Sequence, residues 1–139
     1  MPFTRDESHW LFKLSPDEWI AAAQNELSHA EKGYAARNSR AGLAGVKRAA
    51  GMALNGALIV EPNEAWGRSY VDHIIALAKD ESVPSAVREA CKLIAETPLS
   101  GQGSLVTLRT TKTEERILEA ARDVIAHAYA VVKRYERQS

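Results

Sequence analysis

Residues 40–60 constrain this chain more than any other stretch. Read at helical spacing, Leu43, Val46, Ala50, Leu54 and Ala57 form an aliphatic stripe. Beside it runs a second stripe of very small residues: Gly42, Gly45, Ala49, Ala53 and Gly56. Each interior glycine costs a helix about 1 kcal/mol against alanine. Several on one face therefore call for a compensating contact, and the close approach of another helix supplies one. A helix with two buried faces belongs at the centre of a bundle or at a subunit contact. Arg40, Lys47 and Arg48 interrupt the segment, which argues against a membrane-embedded helix pair.

The flanking sequence supplies partners for such a helix. Ser15-Pro16-Asp17-Glu18 combines a capping serine, a first-position proline and a capping-box glutamate. The stripe Trp19, Ile20, Ala23, Leu27, Ala30 and Tyr34 then predicts a helix over 16–36. Asn63 can cap a helix over 64–80, with Trp66, Tyr70, His73, Ile74 and Leu77 facing in. Val87, Ala90, Cys91 and Ile94 mark the inner face of a helix over 83–97, which Thr97-Pro98 ends. The last helix, 113–137, follows a capping box of Thr111 with Glu114. It has a wide apolar face of Ile117, Leu118, Ala121, Val124, Ile125, Ala128, Val131, Val132 and Tyr135. The expected fold is all-α, an up-and-down bundle of four to five helices. The expected division is an N-terminal arm over 1–14 and one helical domain over 15–139. The arm carries Trp10, Leu11, Phe12 and Leu14, suited to docking on the bundle or on a partner. The long connection 99–113 lets the last helix take a non-sequential place.

The 139 residues carry 18 Lys+Arg and 18 Asp+Glu. That balance excludes a uniformly basic nucleic-acid binder. One cysteine excludes an internal disulfide and a Cys-rich zinc site. No signal-peptide pattern and no long uncharged apolar run are present, so the expected address is cytoplasmic, with no membrane partner.

Candidate chemistry is sparse. His9, His29, His73 and His127 never fall at the i, i+3 or i, i+4 spacing of a helical metal site, so no metal or cofactor is expected. Gly101-Gln102-Gly103-Ser104 follows no Rossmann strand and lacks the Walker lysine. Cys91, on an inner helix face, reads as a small buried hydrophobe. Lys32 to Arg48 holds bases without an acid, including Arg37, Arg40, Lys47 and Arg48, and Arg109 and Lys112 add two more. Such a patch suits phosphates, or it is simply a solvated helix junction.

The remaining signal is Arg122-Asp123-Val124-Ile125-Ala126-His127, an Arg-x4-His on the last long helix with a polar residue directly after the arginine. With it stand the Ala-rich leading helices, Glu26-Leu27-Ser28-His29-Ala30-Glu31 and Val46-Lys47-Arg48-Ala49-Ala50-Gly51-Met52-Ala53-Leu54-Asn55. In these features residues 16–137 resemble the HEPN domains (higher eukaryotes and prokaryotes nucleotide-binding), all-helical bundles that are commonly dimeric. The resemblance implies metal-independent RNA cleavage in a homodimer. His127 would serve as general base or acid on the ribose 2′-hydroxyl, Arg122 would stabilise charge on the scissile phosphate, and Asp123 would orient them. It also implies the toxin half of a toxin–antitoxin pair, with a nucleotidyltransferase-like antitoxin partner.

Five residues along an ideal helix turn roughly 140°. Arg122 and His127 are therefore expected on opposite flanks of the apolar face, so a shared site draws one residue from each copy of a dimer. Two further readings stand beside it. One is a catalytically silent binding or dimerisation module, with Arg122 in surface salt bridges to Glu119 or Asp123. The other is a bundle that holds a small molecule between Trp66, Tyr70 and His73.

Overall fold

Ser15 starts the first long helix. Its Oγ accepts a hydrogen bond from the Glu18 amide at 3.1 Å, and Glu18 Oε1 accepts one from the Ser15 amide at 2.8 Å. Pro16 takes the first helical position, where no amide hydrogen is needed. This helix, α1, spans Pro16–Ala35. The computed structural model describes residues 10–61, 70–97 and 111–138. Within them follow α2 (Ser39–Val60), α3 (Tyr70–Ala78), α4 (Ser85–Glu96) and α5 (Thr111–Gln138), and a short 3-10 turn covers Trp10–Lys13. No strand occurs among the described residues. The chain folds as the all-α bundle its periodicity predicts.

Helix ends depart from expectation for local reasons. α1 stops through a Schellman closure: the Arg37 amide donates to the Tyr34 carbonyl at 2.9 Å and the Asn38 amide to the Gly33 carbonyl at 2.8 Å. Arg37 takes the left-handed conformation this closure needs, with φ 62°. α4 starts at Ser85 rather than 83, because Pro84 is its extended N-cap and Val83 is buried as an anchor before it. α3 ends at Ala78 rather than Asp80, whose Oδ1 instead accepts from the Ser82 amide (2.9 Å) and hydroxyl (2.6 Å). α5 begins at Thr111, two residues early, so Thr111 is itself helical rather than a cap. The Glu114 carboxylate accepts from Ser39 Oγ at 3.0 Å, joining α5 to the start of α2. Asn63 and the 64–69 part of the third predicted helix lie outside the described residues.

α2 is the central helix. It packs against α1, α3 and α5, and α5 in turn packs against α2, α4 and α1. The small-residue stripe faces α1. A Cβ placed on Gly42 would lie 2.7 Å from the Tyr34 ring, and one on Gly45 would lie 2.9 Å from the Ala30 Cβ. The stripe is therefore filled within the chain, which decides against its use as a subunit contact. By length and composition α2 is long and apolar enough to cross a membrane, yet 67% of its apolar 18-residue stretch is buried in the bundle. Its core residues, Val46, Ala50, Leu54 and Leu58, are sealed by the rest of the molecule.

Two tethers complete the frame. The Trp19 indole donates to the Leu11 carbonyl at 2.9 Å, and Leu11 is fully buried, so this part of the arm docks on the bundle. Lys47 Nζ donates to the Ile94 carbonyl at 2.7 Å, placing a cation at the negative end of α4. Burial lowers the Lys47 ammonium below the usual lysine range.

Candidate functional site

α5 buries Ile117, Ala121, Val124, Ile125, Ala128, Val131 and Val132. That face leaves Arg122 and Asp123 exposed and His127 half-buried. As the helical geometry requires, Arg122 and His127 point to different flanks. Arg122 turns towards α1, with Nη2 3.4 Å from Glu31 Oε2 and Nη1 3.1 Å from Glu119 Oε2. It borders a shallow, mostly apolar hollow of about 390 Å³ with Leu27, Ile125 and Tyr129. Asp123 borders a separate groove between α4 and α5. Within one chain Arg122, Asp123 and His127 border three different hollows.

His127 lines a cleft of about 520 Å³ between the end of α2, the α3–α4 turn and α5. Ala57, Leu77, Val83 and Val131 supply apolar wall; Glu61, Asp80, Ser82 and Arg134 supply polar groups. Glu61 Oε2 accepts from Arg134 Nη2 and from the Tyr135 hydroxyl, both at 3.0 Å. Burial lowers the His127 imidazole below the usual histidine range, and Arg134 pushes the same way, while Glu61 and Asp80 oppose both. The two hydrogen bonds from Ser82 hold the Asp80 carboxyl below its usual value. The cleft thus presents a neutral imidazole, able to take a proton at neutral pH, beside an ionised carboxylate and a guanidinium.

The other sequence candidates divide. Arg48 Nε pairs with Glu26 Oε1 at 2.7 Å, and Lys47 is committed to the Ile94 carbonyl. Arg37 and Arg40 are exposed around the α1–α2 turn. Arg109 lies outside the described residues, and the Lys112 side chain does too. Of the proposed pocket, His73 is fully buried in α3 and lines none of the three hollows bordered by Arg122, Asp123 and His127, while Trp66 and the Tyr70 side chain lie outside the described residues. Cys91 is buried, and desolvation pushes its thiol up to about 12, so it is no nucleophile. Among the described residues no three His, Cys, Asp or Glu side chains converge as metal ligands.

Glu61, Asp80 and Arg134 were missing from the sequence candidates. Arg134 lies two helical turns beyond His127, a spacing that puts both on one flank of α5. Glu61 and Asp80 arrive from distant parts of the chain, and no local motif announces them. Comparison with family models, curated proteins and solved structures found no match to this chain.

Proposed function

We propose that this chain is a HEPN-like protein that acts on RNA or nucleotides as a homodimer, in the cytoplasm, as the toxin half of a toxin–antitoxin pair with a nucleotidyltransferase-like antitoxin. The observation that supports this reading is the presentation of the Arg-x4-His on α5. Most of the helix's apolar residues are turned inward, Tyr129 being an exposed exception, while Arg122 stays exposed and His127 opens into a cleft. The strip between them carries exposed Ala126 and Ala130, small enough for a second helix to come close, with Glu119 and Asp123 interleaved among them. Two α5 helices crossing there would set Arg122 of one copy near His127 of the other. The His127 imidazole would take the proton of the ribose 2′-hydroxyl as that oxygen attacks phosphorus and the 5′-oxygen leaves. Arg122 would stabilise the charge gathering on the phosphoryl oxygens. The two carboxylates beside Arg122 are exposed, and such pairs are weak enough to exchange for a phosphate.

The test is RNA cleavage in EDTA by the wild type, His127→Ala and Arg122→Ala, each checked for helicity by circular dichroism. Each variant should lose at least about a hundredfold in rate. Mixing the two inactive variants should restore part of the activity, since a mixed dimer rebuilds one site. No cleavage by the wild type, or equal cleavage by His127→Ala, would sink the nuclease reading. A silent binding module is the second reading, favoured by the double engagement of Arg122 with Glu31 and Glu119. It predicts a dimer without cleavage.

A further inference from the structure

We infer that the His127 cleft is a nucleobase pocket that takes a base bearing an exocyclic amino group (adenine, cytosine or guanine) and rejects uracil. This inference rests on the reading of the chain as acting on RNA or nucleotides. Three features of the cleft carry it. Its volume of about 520 Å³ falls within the usual range of small-molecule sites and accommodates a nucleoside. Ala57, Leu77, Val83 and Val131 give the apolar surface that a flat ring needs. The polar groups are unequally occupied, and this sets the selection.

Glu61 is already engaged by Arg134 and Tyr135. Asp80 is held in place through Oδ1 alone, by the amide and hydroxyl of Ser82. Its Oδ2 has no hydrogen-bond partner among the described residues. An ionised carboxylate only accepts hydrogen bonds. It therefore favours a base edge that offers donors: the amino group of adenine or cytosine, or the paired N1–H and N2–H of guanine. Uracil's single donor, N3–H, is recessed between two carbonyl oxygens, whose repulsion of the carboxylate offsets the one hydrogen bond it can give. His127 and Ser82 stand on the same lining and can serve the remaining edge or the ribose.

The test is calorimetric titration of the intact protein with adenosine, cytidine, guanosine and uridine. These nucleosides carry no phosphate, so neither cleavage nor phosphate contacts contribute. The first three should bind at least about tenfold more tightly than uridine, the scale on which a polar side chain paired to a base edge discriminates against the wrong base. Imidazole ¹⁵N shifts should move at His127. Asp80→Asn keeps an acceptor for Ser82 but turns the second position into a donor. It should narrow the preference by weakening the amino-bearing nucleosides and strengthening uridine. Equal binding of all four, no binding at millimolar nucleoside, an unmoved His127 or an unchanged preference in Asp80→Asn would each overturn the inference. Selective nucleoside binding without RNA cleavage would leave the pocket standing and bring down the nuclease reading. Cleavage without selective binding would do the reverse.

Discussion

Arg37 occupies a position where glycine is the usual choice. Its φ of 62° costs an ordinary side chain about 1 kcal/mol, yet the closure of α1 requires that geometry. Arg37→Gly should keep both closing hydrogen bonds and raise the melting temperature by about 2 °C, after allowing for the freer unfolded chain. A fall in melting temperature would mean the arginine side chain contributes more than its backbone costs. The sequence marked this residue as a phosphate contact, because nothing local distinguishes an arginine that ends a helix from one that merely follows it. Ser15 with Glu18 was legible, since a capping box is written in four adjacent residues. Cys91 was legible too, because its stripe-mates Val87, Ala90 and Ile94 fix the face it lies on. Asn55 was not. It is fully buried on α2, and neither polar atom of its amide has a hydrogen-bond partner among the described residues.

At the level of elements, periodicity carried most of the fold. The stripes on α1, α2 and α5 predicted most of the buried residues, because one face of each helix must leave water for the bundle to gain stability, although Leu118 and Tyr135 of the α5 face are only half-buried. Their ends were less legible, because caps depend on single residues that tertiary contacts override. Glu114 was read as half of a capping box, but it serves Ser39 across the bundle. Packing of α1 against α2 makes a prediction with a definite sign. Gly45→Ala improves helix propensity by about 1 kcal/mol, but the new Cβ would meet the Ala30 Cβ at 2.9 Å and its Cα at 3.2 Å. Overpacking against a backbone costs roughly 1–3 kcal/mol, so the variant should be net destabilised in urea titration. Adding Ala30→Gly should recover part of the loss as a coupling energy in a double-mutant cycle. A more stable Gly45→Ala would show that the two helices can separate at little cost.

The whole molecule assembles the cleft from Glu61, Asp80, His127 and Arg134, residues of three separate segments. Sequence reasoning found His127 through its motif and missed the two carboxylates. Their proximity is a property of how α2, the α3–α4 turn and α5 are stacked, which no spacing records. The same cleft sets a global pH dependence. The His127 imidazole is lowered, mainly by burial, so the unfolded chain binds the extra proton more readily. The stability this group contributes is full above about pH 6.5 and is lost as the pH falls through the lower folded value. The urea midpoint of the wild type should therefore decline more steeply from pH 7 to 5 than that of His127→Asn. Parallel declines would show that the imidazole charges freely in the cleft.

The central place of α2 has a consequence for synthesis. Its first face is covered by α1, which leaves the ribosome before it. α3 covers a further part, and the rest waits for α5, whose buried residues run to Val132. At about 5–20 residues per second, a helix apolar enough for a bilayer stays half-covered for several seconds or more during translation. A chain truncated before α5 would keep that surface open indefinitely, making it a natural target for chaperones and for aggregation.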